Sequence, residues 1–191
     1  RFSLVFQGLS DATIPHGEGW RFLTLGKYLE RTDQTSRMLD TLNFRNKAPS
    51  RSDLMSVLRY CIALSAFRQQ FRGNLSLQNV ANFLLFSEDF PRSIRFCIRT
   101  IDHSLHTISG SPSGTFYNEA ERLTGSALAM VNFTNLEQVM EKGLHETLDE
   151  LQTNLIEIGQ RVFETYVLLP SEIKSLGESD AAQLAQAQQQ Q

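Results

Sequence analysis

Proline occurs at only five positions, 15, 49, 91, 112 and 170, and each falls at a break between stretches of helical periodicity. A proline inside a helix removes a backbone donor and clashes with the preceding turn, so this placement leaves long segments free to be helical. One proline-free run of helical periodicity begins at Glu18 and reaches about Asn46, longer than an average helix. In it Leu25, Leu29, Leu39 and Asn43 fall near one side, with Tyr28, Thr32, Thr35 and Ser36 beside them. A helix end is expected over residues 1–10, and the turn Ile14-Pro15-His16-Gly17 separates it from the long helix. The connector Ala48-Pro49-Ser50-Arg51-Ser52 supplies an N-cap Ser for a helix from about Asp53 to Phe71, stopped at Gly73-Asn74. Ser76 caps a short helix, Leu77 to Leu85. Pro91 suits the first turn of a helix that ends near Ser109. The periodicity then predicts a helix from Phe116 to Met130. Thr134 and Glu137 have capping-box spacing for a last helix reaching Leu168.

No segment shows the alternating pattern of a half-buried strand. Eleven glycines and five prolines are few for a chain built from many tight turns, which argues against an all-β fold. The expectation is an all-α fold, an antiparallel bundle of about six helices over residues 1–168. Residues 169–191 are read as a disordered tail, because Ala181 to Gln191 is almost only Ala, Gln and Leu and has no apolar face to bury. The chain lacks an initiator Met and is read as a piece that begins inside a longer protein.

The net charge of −3 argues against broad electrostatic capture of nucleic acid. No apolar run approaches the ~20 residues that span a bilayer, and residues 1–6 do not form a signal peptide. Cys61 and Cys97 sit among apolar neighbours without metal or redox spacing, so they are expected to be buried free thiols in a reducing compartment. The cytoplasm is the simplest location.

Two polar stripes carry the candidate chemistry. On the Glu18 helix, Lys27, Glu30, Asp33, Arg37 and Asp40 share one side and can pair along the surface. Arg31 lies elsewhere, in an otherwise apolar sector with Trp20, Met38 and Leu42, and must snorkel or find a buried partner. On the later helix, Arg92, Arg95, Arg99, Asp102, His103 and His106 occupy one narrow stripe. The apolar residues Ile94, Cys97, Ile98, Ile101, Leu105 and Ile108 lie opposite. Arginine presents a rigid fork suited to carboxylate or phosphate. The competing reading is an exposed basic face that pairs with the acidic stripe of the Glu30 helix. For Arg31 it is a structural ion pair between helices. His103 and His106 lack the Glu-x-x-His partners of a di-iron bundle, so no metal is expected. Nothing in the sequence calls for a cofactor. No nucleophile elbow, P-loop or HExxH motif occurs. The segment Ser109 to Gly114 is read as a flexible linker, with a lid as its alternative.

The run Trp20-Arg21-Phe22-Leu23-Thr24-Leu25-Gly26-Lys27-Tyr28-Leu29-Glu30-Arg31-Thr32-Asp33 resembles the signature of the Alpha-E domain family. Phe6-Gln7-Gly8-Leu9-Ser10-Asp11, Asp89-Phe90-Pro91-Arg92-Ser93-Ile94, Ser104 to Gly110 and Gly143-Leu144-His145-Glu146 fit it as well. The likeness covers residues 1–168. It departs at Lys27, where the family more often has Arg. The resemblance implies an all-helical domain whose Glu-Arg motif is Glu30-Arg31. It also implies that this chain is the C-terminal portion of a longer member. Family members tend to be encoded beside, or fused to, ATP-grasp proteins and transglutaminase-like proteins. The resemblance therefore implies an accessory role in ATP-dependent amide or peptide ligation.

These readings converge on a non-catalytic module that binds a carboxylate-bearing or peptide substrate, or the ligase itself. Arg92, Arg95, Arg99 and His106 are the expected anion contacts, oriented by Glu30, Arg31 and Arg37. One alternative is an enzyme acting on a peptide or amide, with Glu30 or His106 as general base. The other is a purely structural scaffold, with the Glu-Arg helix as an interhelical clamp.

Overall fold

The computed structural model describes residues 2–43 and 48–168, with side chains described from residue 5 onward. Among the described residues there are nine helices and no strand: α1 (Phe2–Thr13), α2 (Glu18–Asp40), α3 (Arg51–Tyr60), α4 (Leu64–Phe71), α5 (Leu77–Phe86), α6 (Ile94–Ser109), α7 (Glu119–Phe133), α8 (Leu136–Lys142) and α9 (Leu144–Tyr166). The all-α expectation holds, and the number of helices is larger than six. The expected disordered tail lies outside the described residues.

Four long helices, α2, α6, α7 and α9, form a ring in which each packs on two others. Neighbours run antiparallel. The start of α2 meets the end of α9 through Phe22 and Tyr166, whose rings are 5.5 Å apart. The end of α2 meets the start of α9 through Asp40 and His145. Thr35, late in α2, donates to the Arg92 carbonyl at the approach to α6. The core is continuous from Leu25 and Leu39 through Ile98, Ile101 and Leu105 to Leu148, Leu151 and Ile158. Burying each such side chain stabilises the fold by roughly 1.5–3 kcal/mol. Phe67, Phe71, Phe83 and Phe90 form an aromatic cluster contributed by α4, α5 and the segment before α6, with neighbouring centroids 4.9 to 6.2 Å apart.

The extra helices come from two breaks inside expected single helices. The first separates α3 from α4. The Ala63 N–H donates to the Leu58 carbonyl at 2.7 Å, and Ile62 adopts φ 54°, a left-handed turn that usually needs glycine. The second separates α8 from α9 at Gly143, which has φ 108°.

Several caps differ from expectation. Asn135 and Gln138, one residue later than the expected Thr134 and Glu137, form the capping box of α8. Pro91 precedes α6, whose N-cap is Ser93. α2 ends at Asp40, short of Asn46, and α7 starts at Glu119, after Phe116. Ser76 caps as expected, and of the two serines in the connector it is Ser50 that caps α3, in a capping box with Asp53. Cys61 and Cys97 are buried and free, and burial pushes their thiols up to about 11 and about 12. No described helix is long and apolar enough to cross a membrane.

Candidate functional site

A groove of about 300 Å³ runs between α1 and α2. Phe6, Trp20 and Leu23 supply apolar surface, while Lys27, Arg31 and Arg92 bring positive charge and Asp11 and Glu30 negative charge. Periodicity explains the assembly. Trp20, Leu23, Thr24, Lys27, Glu30, Arg31 and Gln34 recur at three- and four-residue steps, so they line one flank of α2. The antiparallel contact of α2 with the approach to α6 then brings in Arg92.

The groove is held by polar links between α1 and α2. Arg31 Nη2 donates to Gln7 Oε1 at 2.7 Å, and its guanidinium lies 5.1 Å from the Tyr28 ring centroid. Arg31 Nε is buried without a partner. Lys27 Nζ is 3.6 Å from Asp11 Oδ1. Glu30 accepts from Gln34 at 2.7 Å along its own helix. The interhelical partner of Arg31 is thus a neutral amide where a carboxylate was expected. Asp33 pairs with Arg37 along α2, as the spacing allows, Asp40 pairs with His145 on α9, and Lys27 reaches Asp11 on α1. The acidic stripe does not pair with the arginines of α6, because the described bonds of Arg95 and Arg99 go to Glu88 and to the Val131 carbonyl.

Of the seven residues expected to share a binding site, the structure brings Glu30, Arg31 and Arg92 to the groove and places the other four elsewhere. Arg37 is exposed and chelates Asp33, its Nε lying 2.8 and 3.0 Å from the two carboxylate oxygens. Arg95 is committed to the fold. Its Nη2 donates to the Val131 carbonyl at 2.7 Å, its Nη1 lies 3.4 Å from Glu88, and it stacks over Phe86. Val131 is in the last turn of α7, where carbonyls lack intrahelical donors, so Arg95 caps that helix from outside. Arg99 donates to the Glu88 carbonyl at 2.8 Å and holds the segment leading into α6.

His106 belongs to a different constellation, centred on a carboxylate that sequence reasoning missed. Glu121 is 0% exposed. Its Oε2 accepts the Ser111 hydroxyl and the Tyr117 N–H, both at 2.9 Å, and its Oε1 accepts the Asn118 amide at 2.8 Å. Asn118 also donates to Tyr166 Oη at 3.0 Å, tying α7 to α9. His106 Nδ1 is 2.6 Å from Ser111 Oγ, and its Nε2 is 3.5 Å from Asp102 Oδ1. Burial alone would raise the Glu121 pKa. The Ser109, Tyr117 and Ser111 hydrogen bonds and the His106 charge reverse that effect, leaving it below the ordinary value. Asp102 moves the other way: burial lifts it and the Glu121 charge adds to the rise, against the opposing pull of His106. Ser111 is therefore pinned, and the segment from Ser109 to Gly114 is neither a free linker nor a detached lid. Two signals in the sequence pointed to Glu121. It lies three residues after a capping Asn, and it shares the buried stripe of Ala120, Thr124, Ala127 and Val131. It also opens a second Glu-Arg dipeptide, Glu121-Arg122.

The Alpha-E family model, "a predicted alpha-helical domain with a conserved ER motif", matches residues 1–167. An uncharacterised protein of Mycobacterium tuberculosis is 24% identical over 179 residues, covering 91% of this chain and 20% of the relative. An uncharacterised protein of Mycobacterium bovis gives the same identity and coverage. The chain thus spans about a fifth of the length of these curated relatives. No solved structure matches it. The match over nearly the whole chain, on a fold that is helical throughout its described elements, establishes that this chain belongs to the Alpha-E family.

Proposed function

We propose that this chain is a non-catalytic binding module that holds a carboxylate-bearing or peptide substrate in the α1–α2 groove for an ATP-grasp amide or peptide ligase in the cytoplasm. The observation that carries this reading is the convergence of Lys27, Arg31 and Arg92 on a groove walled by Phe6, Trp20 and Leu23. Apolar walls with a few convergent polar groups are the usual make-up of a ligand site. A general base working near neutral pH needs a desolvated or charged setting. Glu30 is exposed and bonded to Gln34, which favours an orienting role over a catalytic one. The partnership with an ATP-grasp protein, and a further one with a transglutaminase-like protein, rest on the family resemblance.

The test is titration of the full-length protein with its neighbouring ATP-grasp protein, with and without ATP. ATP-sensitive binding weakened by Arg92→Gln is the expected result. Absence of binding overturns the partnership.

One observation favours an enzymatic alternative: Asp102, His106 and Ser111 form a chain of an acid, an imidazole and a hydroxyl. The Ser111 hydroxyl, however, is buried and bonded to Glu121, which withdraws it from attack on a substrate. Turnover of a peptide or amide that is lost in His106→Gln, with folding intact, would establish that alternative.

A further inference from the structure

We infer that the α1–α2 groove, taken as the binding site proposed above, selects a single carboxylate carried next to a large apolar group, the chemistry of a peptide C-terminus with an aromatic or branched last residue. Charge bookkeeping around the groove leads there. Lys27 is offset by Asp11 at 3.6 Å. The Arg31 guanidinium is engaged by Gln7 and by the face of Tyr28. Among the described residues the Arg92 guanidinium has no hydrogen-bond or ion-pair partner, although it lines the groove. Its backbone is nonetheless anchored, because its carbonyl accepts the Thr35 hydroxyl at 3.0 Å. The groove therefore presents one uncommitted planar fork. Its lining carries three cations against two carboxylates, leaving one net positive charge.

That balance matches a monoanion. A phosphate dianion would bring a second charge with no free cation to meet it, beside an exposed Glu30 that repels it. A carboxylate also fits the two parallel donors of a guanidinium. The apolar part follows from the rest of the lining. Phe6 and Leu23 are 57% and 47% exposed and gain by being covered. Trp20 is braced by a stack with His16, centroids 4.2 Å apart, so it offers a pre-ordered surface. At about 300 Å³ the groove is at the small end of ligand sites, which suits one chain end rather than a long peptide. The same chemistry exists in a free aromatic acid, and the experiment separates the two sources.

The test is isothermal titration of the full chain with acetyl-Ala-Ala-Phe as the free acid, the same peptide as its C-terminal amide, phenylacetate and phenyl phosphate. The free acid is expected to bind at least about tenfold more tightly than the amide, the effect of one charge-assisted hydrogen-bonded pair. Arg92→Gln is expected to remove that preference. The acid–amide comparison uses the unaltered protein, so it does not depend on how the variant folds. Tighter binding of the tripeptide than of phenylacetate assigns the ligand to a peptide end, and equal binding assigns it to a free acid. Either supports the shared chemistry. Equal binding of acid and amide overturns the inference, as does a preference that survives Arg92→Gln or stronger binding of phenyl phosphate. If the acid preference is absent while Arg92→Gln still weakens association with the ATP-grasp protein, this inference fails and the binding-module reading stands. If both are absent, both fail.

Discussion

The Ser111 hydroxyl lies 2.9 Å from Oε2 of Glu121, a carboxylate with no exposed surface at the centre of the α6–α7 connection. Around it the Asn118 amide, the Tyr117 N–H and, through Ser111, the His106 ring all converge. Three residues of the connecting segment and one of α6 are therefore ordered by a single buried charge. Such a charge is tolerated only because its hydrogen-bonding capacity is met.

Removing that acceptor is expected to be costly. Glu121→Ala leaves the donors of Ser111, Tyr117 and Asn118 without their partner and is predicted to destabilise the fold by about 3–5 kcal/mol. Glu121→Gln keeps the shape but aims an amide N–H₂ at donors, with an expected loss of about 1–3 kcal/mol. Chemical denaturation midpoints check both. The native carboxylate is held below its ordinary pKa, so its stabilising contribution is full above the ordinary glutamate range. It disappears as pH falls through the depressed native value. The stability gap between the wild type and Glu121→Gln should therefore close on acidification.

Arg95 is predicted to act on stability and not on the groove. Arg95→Gln loses the bond to the Val131 carbonyl and the contact with Glu88, and an expected destabilisation of about 1–2 kcal/mol follows. Thermal denaturation measures it. Ligand titration of the same variant should match the wild type, whereas an effect on binding would return Arg95 to the site.

His145 links the start of α9 to the end of α2 through Asp40, with its Nδ1 2.9 Å from the carboxylate. The hydrogen bond to Asp40 and the Asp40 charge raise the His145 pKa. A raised native pKa stabilises the fold below the ordinary histidine value, and the contribution is lost as pH rises through the native one. His145→Asn is therefore expected to lower the melting temperature near pH 5.5 and to have a smaller effect near pH 8.5. An equal loss at both pH values would show that the ion pair does not contribute.

Ile62 holds a left-handed backbone at φ 54° with a β-branched, exposed side chain. Left-handed conformations cost an L-residue roughly 1–2 kcal/mol, part of which glycine returns through its larger unfolded-state entropy. Ile62→Gly is predicted to stabilise the chain by about 0.5–1 kcal/mol, read from the denaturation midpoint. Destabilisation would mean that the side chain packs usefully where it lies.

Where the chain turns helical was largely legible, because helix formation is a local matter of periodicity and caps. Ser50, Ser76 and the proline-marked breaks show it. The break at Ile62 was not legible. Its stop signal is a residue type that normally avoids that backbone, and it is imposed by packing around Cys61 and Ala63, both buried. The groove was legible in part. Helical angles showed that Glu30 and Arg31 are polar side chains on one helix, but not that α1 and Arg92, just before the N-cap of α6, join them to line one groove. The expected arginine stripe shows the same limit. Arg92 lies before the N-cap of α6 and only Arg95 and Arg99 are on the helix, and a guanidinium on a long flexible stem reaches whichever acceptor the neighbouring element offers. Arg95 found an orphan carbonyl of α7, Arg99 found the Glu88 carbonyl, and Arg92 found none among the described residues.

By itself the sequence determined an all-helical chain of the Alpha-E family, with its apolar residues on the inner faces of amphipathic helices, since periodicity of burial is written residue by residue. Only the tertiary structure decided which charges are spent on folding and which remain to meet a ligand. It joined Glu121 to Ser111, Asn118 and His106, and it left Arg92 uncommitted beside Arg31 and Trp20. The physical reason is that a charge is committed by the partner that packing brings within about 3 Å, and that partner comes from another helix or from the connection between two.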